Sequence, residues 1–356
     1  MTGPEILVLT TVHASDDTRI RERLIRSLSG LGNITYATRA PAPTDLTGVE
    51  WILLPGSRVR RNIKAFGLLL GGHFDLVVLH DPETVPAGVV ARLLRRSLVV
   101  FDVHEDLAGQ ISSKDRIPGW LKPFARSLAR ALYRLAEMTL TLTLAEPGYQ
   151  RLFRHEHVVF PNFPRTASFP PVKPNGAGFA IYVGDITEAR GIEDAARACL
   201  EAGVPLVAIG RFDAGLGETL LSIDDSIELT GRLSNPEALD RLAGAAVGLS
   251  PLRDEPNYRM SLPTKVLEYL AMGVPVVATD LPGTREVLSG LAAVAFVPPG
   301  DVQAMADAVT EMMSPGVRAA ATEQSSEMRV RFNWPESEVR AFYSRLLTRG
   351  ETPDPS

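Results

Sequence analysis

Residues 258–283 read Y-R-M-S-L-P-T-K-V-L-E-Y-L-A-M-G-V-P-V-V-A-T-D-L-P-G, and the fold class follows from them. Pro263 suits the first position of a helix, where its missing N–H costs nothing. Val266, Leu267, Leu270 and Ala271 then share one helical face, and Gly273 ends the helix just past its C-cap. Residues 274–278 form a short apolar strand and 279–283 a turn. Such a helix–strand unit builds parallel sheets. Lys265 is the odd residue. A cation in the first turn opposes the helix dipole at a cost of about 0.3–1 kcal/mol, whereas the amides there favour an anion. Glu268, three residues on, lies on the same face. The pair reads either as a surface ion pair or as two ligands of a bound phosphate and a sugar diol.

Composition narrows the class. The chain has 356 residues, 45% apolar and 22% charged, enough for two globular domains. Its one cysteine, Cys199, excludes an intrachain disulfide and a cysteine-based metal site, and suits a reducing cytosol. No apolar run reaches the ~18 residues of a membrane span. The expectation is a cytoplasmic protein, soluble or peripheral on the inner face of a membrane, and no nucleic acid partner is expected. Residues 1–165 hold 21 Lys and Arg against 16 Asp and Glu, a net of +5, while the remainder carries −10. A basic half joined to an acidic half implies different partners for each.

Short apolar runs recur at residues 6–10, 33–38, 50–54, 76–80 and 98–103, mostly with helical patterns between them, in the rhythm of a parallel sheet. The first strand leads through T-T-V-H-A-S-D-D-T-R-I into an amphipathic helix expected over 20–31, with Asp17 or Thr18 as N-cap. Loops at strand carboxyl ends are where ligands sit in open α/β sheets. His13 and Arg19 there are candidates to touch an anion or a sugar, or are an ordinary loop histidine and a solvated arginine. No G-x-G-x-x-G occurs. His80-Asp81-Pro82-Glu83 and Asp102-Val103-His104-Glu105-Asp106 are polar clusters directly after strands, and His104 between carboxylates is a working-residue candidate. In residues 117–137, Trp120, Leu121, Phe124, Leu128, Leu132 and Leu135 form one stripe; Lys122, Arg126, Arg130 and Arg134 form another. The stripe either faces the core as part of an outer helix or, with Arg58, Arg60, Arg61 and Lys64, docks on an anionic membrane.

Residues 158–178 hold five prolines and no periodicity, which marks a linker. Beyond it the strand rhythm restarts, and residues 333–336 (N-W-P-E) open a last helix.

Two such halves around P-T-K-V-L-E-Y-L-A-M-G-V-P-V-V-A-T-D resemble the GT-B glycosyltransferases, and more closely the retaining family four. V-H-A-S-D-D-T-R-I, D-V-H-E-D, Y-V-G-D-I-T-E-A-R-G-I and F-N-W support this across nearly the whole chain. The resemblance implies an α/β chain of two Rossmann-like domains facing across a cleft. Residues 1–160 would bind the acceptor, 161–178 would be the linker, and 179–332 would bind the nucleotide-sugar. Residues 333–349 would be a helix packing back toward the N-terminal domain, with 350–356 a tail.

The resemblance also assigns roles. Glu268 would hold the donor ribose. Lys265 and the helix amides would face the diphosphate, Arg190 would neutralise it, and Gly184, Pro263 and Thr264 would bind the donor. Gly231, Arg232 and Leu233 would pack on the base. His104 would lie beside the reacting sugar, and Asp17, Thr18 and Arg19 would face the donor from the first loop. Catalysis would rest on His104, Lys265 and Arg190. Met260 stands where the family carries its first glutamate, and Asp185 where an arginine is frequent; Asn257 or Arg259 would be the compensating neighbour. The implied reaction is sugar transfer from a UDP- or GDP-linked donor to a polysaccharide, glycolipid or small molecule, with retention and without cofactor or metal. A non-catalytic sugar-nucleotide-binding subunit and a sugar-nucleotide epimerase are the alternatives.

Overall fold

The computed structural model describes residues 3–41, 47–113, 117–173, 178–256 and 258–349. Asn257, residues 174–177 of the expected linker and the tail 350–356 lie outside them. The chain divides into two units, Met1–Asn162 with Trp334–Ser356, and Phe163–Asn333.

The first unit holds a seven-stranded parallel sheet made of β1 (Glu5–Leu9), β2 (Asn33–Thr38), β3 (Val49–Leu53), β4 (Leu76–Leu79), β5 (Leu98–Val103), β6 (Thr141–Leu144) and β7 (Val158–Val159). Its order is β3-β2-β1-β4-β5-β6-β7, so the direction of winding reverses between β1 and β4. The apolar residues of these strands alternate between two covered faces, as a sheet buried on both sides requires. Leu7, Leu9, Val77, Leu79, Val99 and Phe101 face the helices Arg58–Gly71, Val85–Arg95 and Lys122–Thr139. Ile6, Val8, Leu76, Val78 and Val100 face Ile20, Leu24 and Leu28, together with Trp334, Val339 and Tyr343 from the end of the chain. Trp334 is anchored there by donating from Nε1 to Ser27 Oγ at 2.9 Å.

The second unit repeats the plan with β8 (Ala180–Val183), β9 (Leu206–Ile209), β10 (Glu228–Gly231), β11 (Val247–Ser250), β12 (Val276–Thr279) and β13 (Val294–Val297), in the order β10-β9-β8-β11-β12-β13. Here winding reverses between β8 and β11. The Pro-rich segment is built into this unit from Phe163 onward. Thr166 donates through N and Oγ1 to Asn333 Oδ1, and Phe163 meets Phe332 edge to face at 5.5 Å.

Several local expectations change. Pro263 is the N-cap of the Thr264–Ala271 helix, with ψ of 122°, not its first helical residue. The first helix starts at Thr18, runs as wide π-turns to Ile25 and stops at Leu28. Asp17 caps it, accepting from the N–H groups of Arg19 and Ile20. A helix at Pro315–Arg331 has no counterpart in the sequence reading. The 122–139 helix turns Ala129, Tyr133 and Ala136 to the sheet, while Trp120, Phe124, Leu128 and Met138 are exposed, Trp120 by 78%. The core-facing reading of that stripe holds for Leu132, which packs against the core, and fails for Trp120, Phe124, Leu128 and Leu135, because Ala129, Tyr133 and Ala136 occupy the face that must approach the strands.

Candidate functional site

In doubly wound sheets a crevice opens beyond the strand carboxyl ends where winding reverses, and ligands bind there. In the second unit this point is bordered by the loop after β8 and the helix after β11. Gly191 in that loop has φ of +70°, and a Cβ on it would lie 1.8 Å from Pro251 O. Only glycine allows this approach, which brings the Glu188–Arg190 turn against the end of β11. Gly184, with φ of +134°, marks the crevice. A Cβ built on it would stand 3.2 Å from Arg190 Nη1 and 3.8 Å from Lys265 Nζ. Both cations therefore converge on one glycine.

Lys265 is buried, and among the described residues its Nζ has no hydrogen-bond partner. It lies over the Tyr182 ring, 3.6 Å from the centroid. Burial, with the neighbouring Arg190 charge, pushes its pKa well below the ordinary value; Glu268, one turn on, opposes this. Pro263 offers no side-chain cap to the helix. An unpaired buried ammonium at an uncapped helix N-terminus is a costly arrangement that an anion would relieve. Arg190 is itself largely enclosed, beside Tyr182, Tyr258 and Asp185. Asp185 forms a two-pronged pair with Arg211, at 3.1 Å in each prong. Arg259 is likewise held by Asp254, and the Met260 side chain is exposed. Arg232 is exposed and Leu233 half-buried after Gly231, at the end of β10.

The reversal point of the first unit gathers histidines. His13 follows β1, His80 follows β4 and His104 follows β5. His104 Nδ1 donates to Asp102 O at 3.1 Å, and its Nε2 lies 3.0 Å from His13 Nε2. His13 Nδ1 is 2.9 Å from Asp17 Oδ2. Thr18 is exposed at the start of its helix. Arg19, expected to face the donor, is instead buried with Asp102, donating from Nε and Nη2 at 2.8 Å each, and from Nη1 to Phe160 O. A guanidinium on the sheet-facing side of a helix is desolvated and needs that counter-charge. Among the described residues, ligand atoms of His13, His104 and Glu105 gather within 4.8 Å, as do those of His80, Asp102 and His104. Contacts within hydrogen-bond distance already engage both ring nitrogens of His13 and of His104.

Residues 179–314 match the family described as glycosyl transferases group 1. This part of the chain is a glycosyl transferases group 1 domain. Over 310 residues the chain is 24% identical to phosphatidyl-myo-inositol mannosyltransferase of Mycobacterium leprae, covering 83% of this chain and 78% of that one. It is 31% identical over 133 residues to the putative teichuronic acid biosynthesis glycosyltransferase TuaC of Bacillus subtilis, which is 37% of this chain and 32% of that protein. Anabaena HepE in complex with UDP and glucose superposes with a TM-score of 0.72 at 14% identity, covering 97% of this chain and 100% of that one. The two parallel-sheet units thus form a GT-B fold.

Within the group 1 domain, Gly184, Arg190 and Lys265 come together, with Pro263 and Thr264 at the start of the Lys265 helix and Glu268 one turn further on. Tyr182, which faces the lysine, was missed. Its alternation into the core along β8 marked it only as a strand residue. In the first unit the sequence reading named His13 and His104 separately, and their pairing across 91 positions carries no sequence signal.

Proposed function

We propose that the chain transfers a sugar from a UDP- or GDP-linked donor to an acceptor glycan, glycolipid or small molecule, with retention of configuration. The observation that carries this reading is the buried Lys265 ammonium, without a hydrogen-bond partner among the described residues, beside Arg190 at the winding reversal of the group 1 domain. Cleavage of a nucleotide-sugar releases a nucleoside diphosphate, and negative charge grows on its leaving oxygen. Lys265, Arg190 and the 264–271 helix amides supply positive charge where it develops, which is electrostatic catalysis without a bound metal. Glu268 accepts from the ribose hydroxyls, and His104 works on the acceptor side. The UDP named with HepE and the mannosyl transfer named for the mycobacterial relative support this class of donor.

The acceptor is reached at an anionic membrane in this reading. The helices Arg58–Gly71, Val85–Arg95 and Lys122–Thr139 pack side by side. They leave Val59, Ile63, Leu93, Leu94, Phe124 and Met138 exposed, Met138 by 82%, among Arg60, Lys64, Arg95 and Arg130. Apolar side chains enter the headgroup boundary while each nearby cation contributes about 1 kcal/mol toward anionic lipid.

Thermal stabilisation by UDP, GDP and their sugars, followed by release of free nucleotide with EDTA present, tests the donor side. No stabilisation by any of them overturns the reading. Binding without transfer or hydrolysis would favour a non-catalytic subunit, and turnover of donor without acceptor an epimerase.

A further inference from the structure

We propose that His13 and His104 share one extra proton, and that His13, held as an imidazolium by Asp17, positions a neutral His104 on the acceptor side. Proton counting along the chain of contacts leads there. The Asp102 carbonyl only accepts, so His104 Nδ1 carries a hydrogen; in the neutral ring its Nε2 is then a bare lone pair. Asp17 already accepts from two backbone N–H groups and is an ionised carboxylate, so His13 Nδ1 also carries a hydrogen. Two bare nitrogens 3.0 Å apart would repel. A hydrogen must lie between them on one Nε2 or the other, and the Asp17 carboxylate at His13 Nδ1 favours the charged ring there, whereas only a backbone carbonyl faces His104 Nδ1. His13 is the cation, and it donates to His104.

The surrounding charges agree. Around the loop after β1, Asp17 pairs with His13, and Asp81 Oδ1 from the end of β4 stands 3.6 Å from His13 Nε2. Glu83 is turned away in a two-pronged pair with Arg58. Arg39 and Arg61 bind the backbone carbonyls of Val12 and Thr11, while Asp102 is held by Arg19. Glu105 adds negative charge from the end of β5, and the fully buried His80 ring lies 5.9 Å from His104. Burial works against a charged His13, but the hydrogen bond and charge of Asp17, then Asp81 and Glu105, outweigh it and raise its pKa. Burial, with the charges of His13 and His80, lowers that of His104. Above the raised His13 value the proton passes to solvent, the Nε2 atoms face each other bare, and His104 loses its tether.

The role assigned to His104 in transfer comes from the proposed function, so the test reads charge and turnover separately. Nitrogen-15 NMR of histidine-labelled protein should show His13 doubly protonated above pH 6.5, the ordinary histidine value, and His104 neutral with hydrogen on Nδ1. This holds whether or not sugar is transferred. In turnover, His13→Gln keeps an amide donor toward His104 but cannot titrate. It should retain activity within a few-fold and lose the alkaline limb of the pH profile, whereas His13→Ala should lower kcat tenfold or more with donor KM unchanged. A purely structural His13 would leave the pH profile of the glutamine variant like the wild type. That result, a His13 titrating at or below 6.5, or zinc binding abolished by His13→Gln, would overturn the proposal.

Discussion

Lys265 Nζ sits 3.6 Å above the centre of the Tyr182 ring, and among the described residues it finds no hydrogen-bond acceptor. The ring quadrupole softens the burial of the charge without pairing it. Stability is held back here to keep a cation ready for a ligand.

Replacing this lysine by methionine keeps its length and removes the charge. Lys265→Met should raise the Tm of the unliganded protein and weaken nucleotide diphosphate binding at least tenfold, or about 1.4 kcal/mol. Calorimetric melting and a binding titration on the same sample check both directions. A drop in Tm with unchanged affinity would place the anion elsewhere.

At pH values between the depressed folded pKa of Lys265 and its ordinary 10.5, nucleotide binding should take up a proton. The folded protein holds the Lys265 pKa well below the ordinary 10.5, while the unfolded chain keeps its proton up to that value. The unfolded state thus binds more protons, and stability rises with pH through this window. A diphosphate beside Nζ restores the higher value, so binding draws in a proton and weakens as pH climbs. Titrations in buffers of different ionisation enthalpy measure the uptake, which should vanish in Lys265→Met.

The Arg19–Asp102 pair is a stability element of the first unit. Removing one partner strands the other in the core, at a cost of about 3–5 kcal/mol. Arg19→Met should show this in urea melts at neutral pH. Asp102 is held well below the ordinary carboxylate value, chiefly by the Arg19 charge acting against burial. Its contribution is therefore present above about pH 3.9 and lost as pH falls through its lower folded value. The wild-type advantage over the variant should shrink on acidification.

Membrane docking has a direct readout. Trp120→Ser with Phe124→Ser should cut co-sedimentation with anionic vesicles several-fold and leave thermal stability within about 0.5 kcal/mol, as expected for exposed positions. High salt should release the wild type, since exposed charges are screened over about 10 Å. Wild type that ignores anionic vesicles at low salt would point to a soluble acceptor.

The sequence showed the fold where periodicity and punctuation agree. Val266, Leu267, Leu270 and Ala271 at helical spacing, closed by Gly273, define both an element and its buried face. Pro315–Arg331 escaped notice because its inward residues are Ala321, Ser325 and Met328, too small and too polar to make an apolar stripe. Arg19 misled because a charged residue after a strand reads as a ligand contact, and nothing local reveals Asp102 waiting 83 positions away. Lys265 stood out early because it opposed the helix dipole. The helix of residues 122–139 was ambiguous because a helical wheel weights large side chains, whereas sheet packing selects Ala129 and Ala136.

The return of Trp334 and Tyr343 to the core of the first unit has a consequence for biosynthesis. The first sheet emerges from the ribosome early but lacks part of one covering layer, including the partner of Ser27. Everything from Phe163 to Asn333 must be made before that layer arrives. The later-made unit is thus complete in sequence before the earlier one, which waits with Ile6, Val8 and Ile34 incompletely covered. Until then those strands are a natural client surface for chaperones.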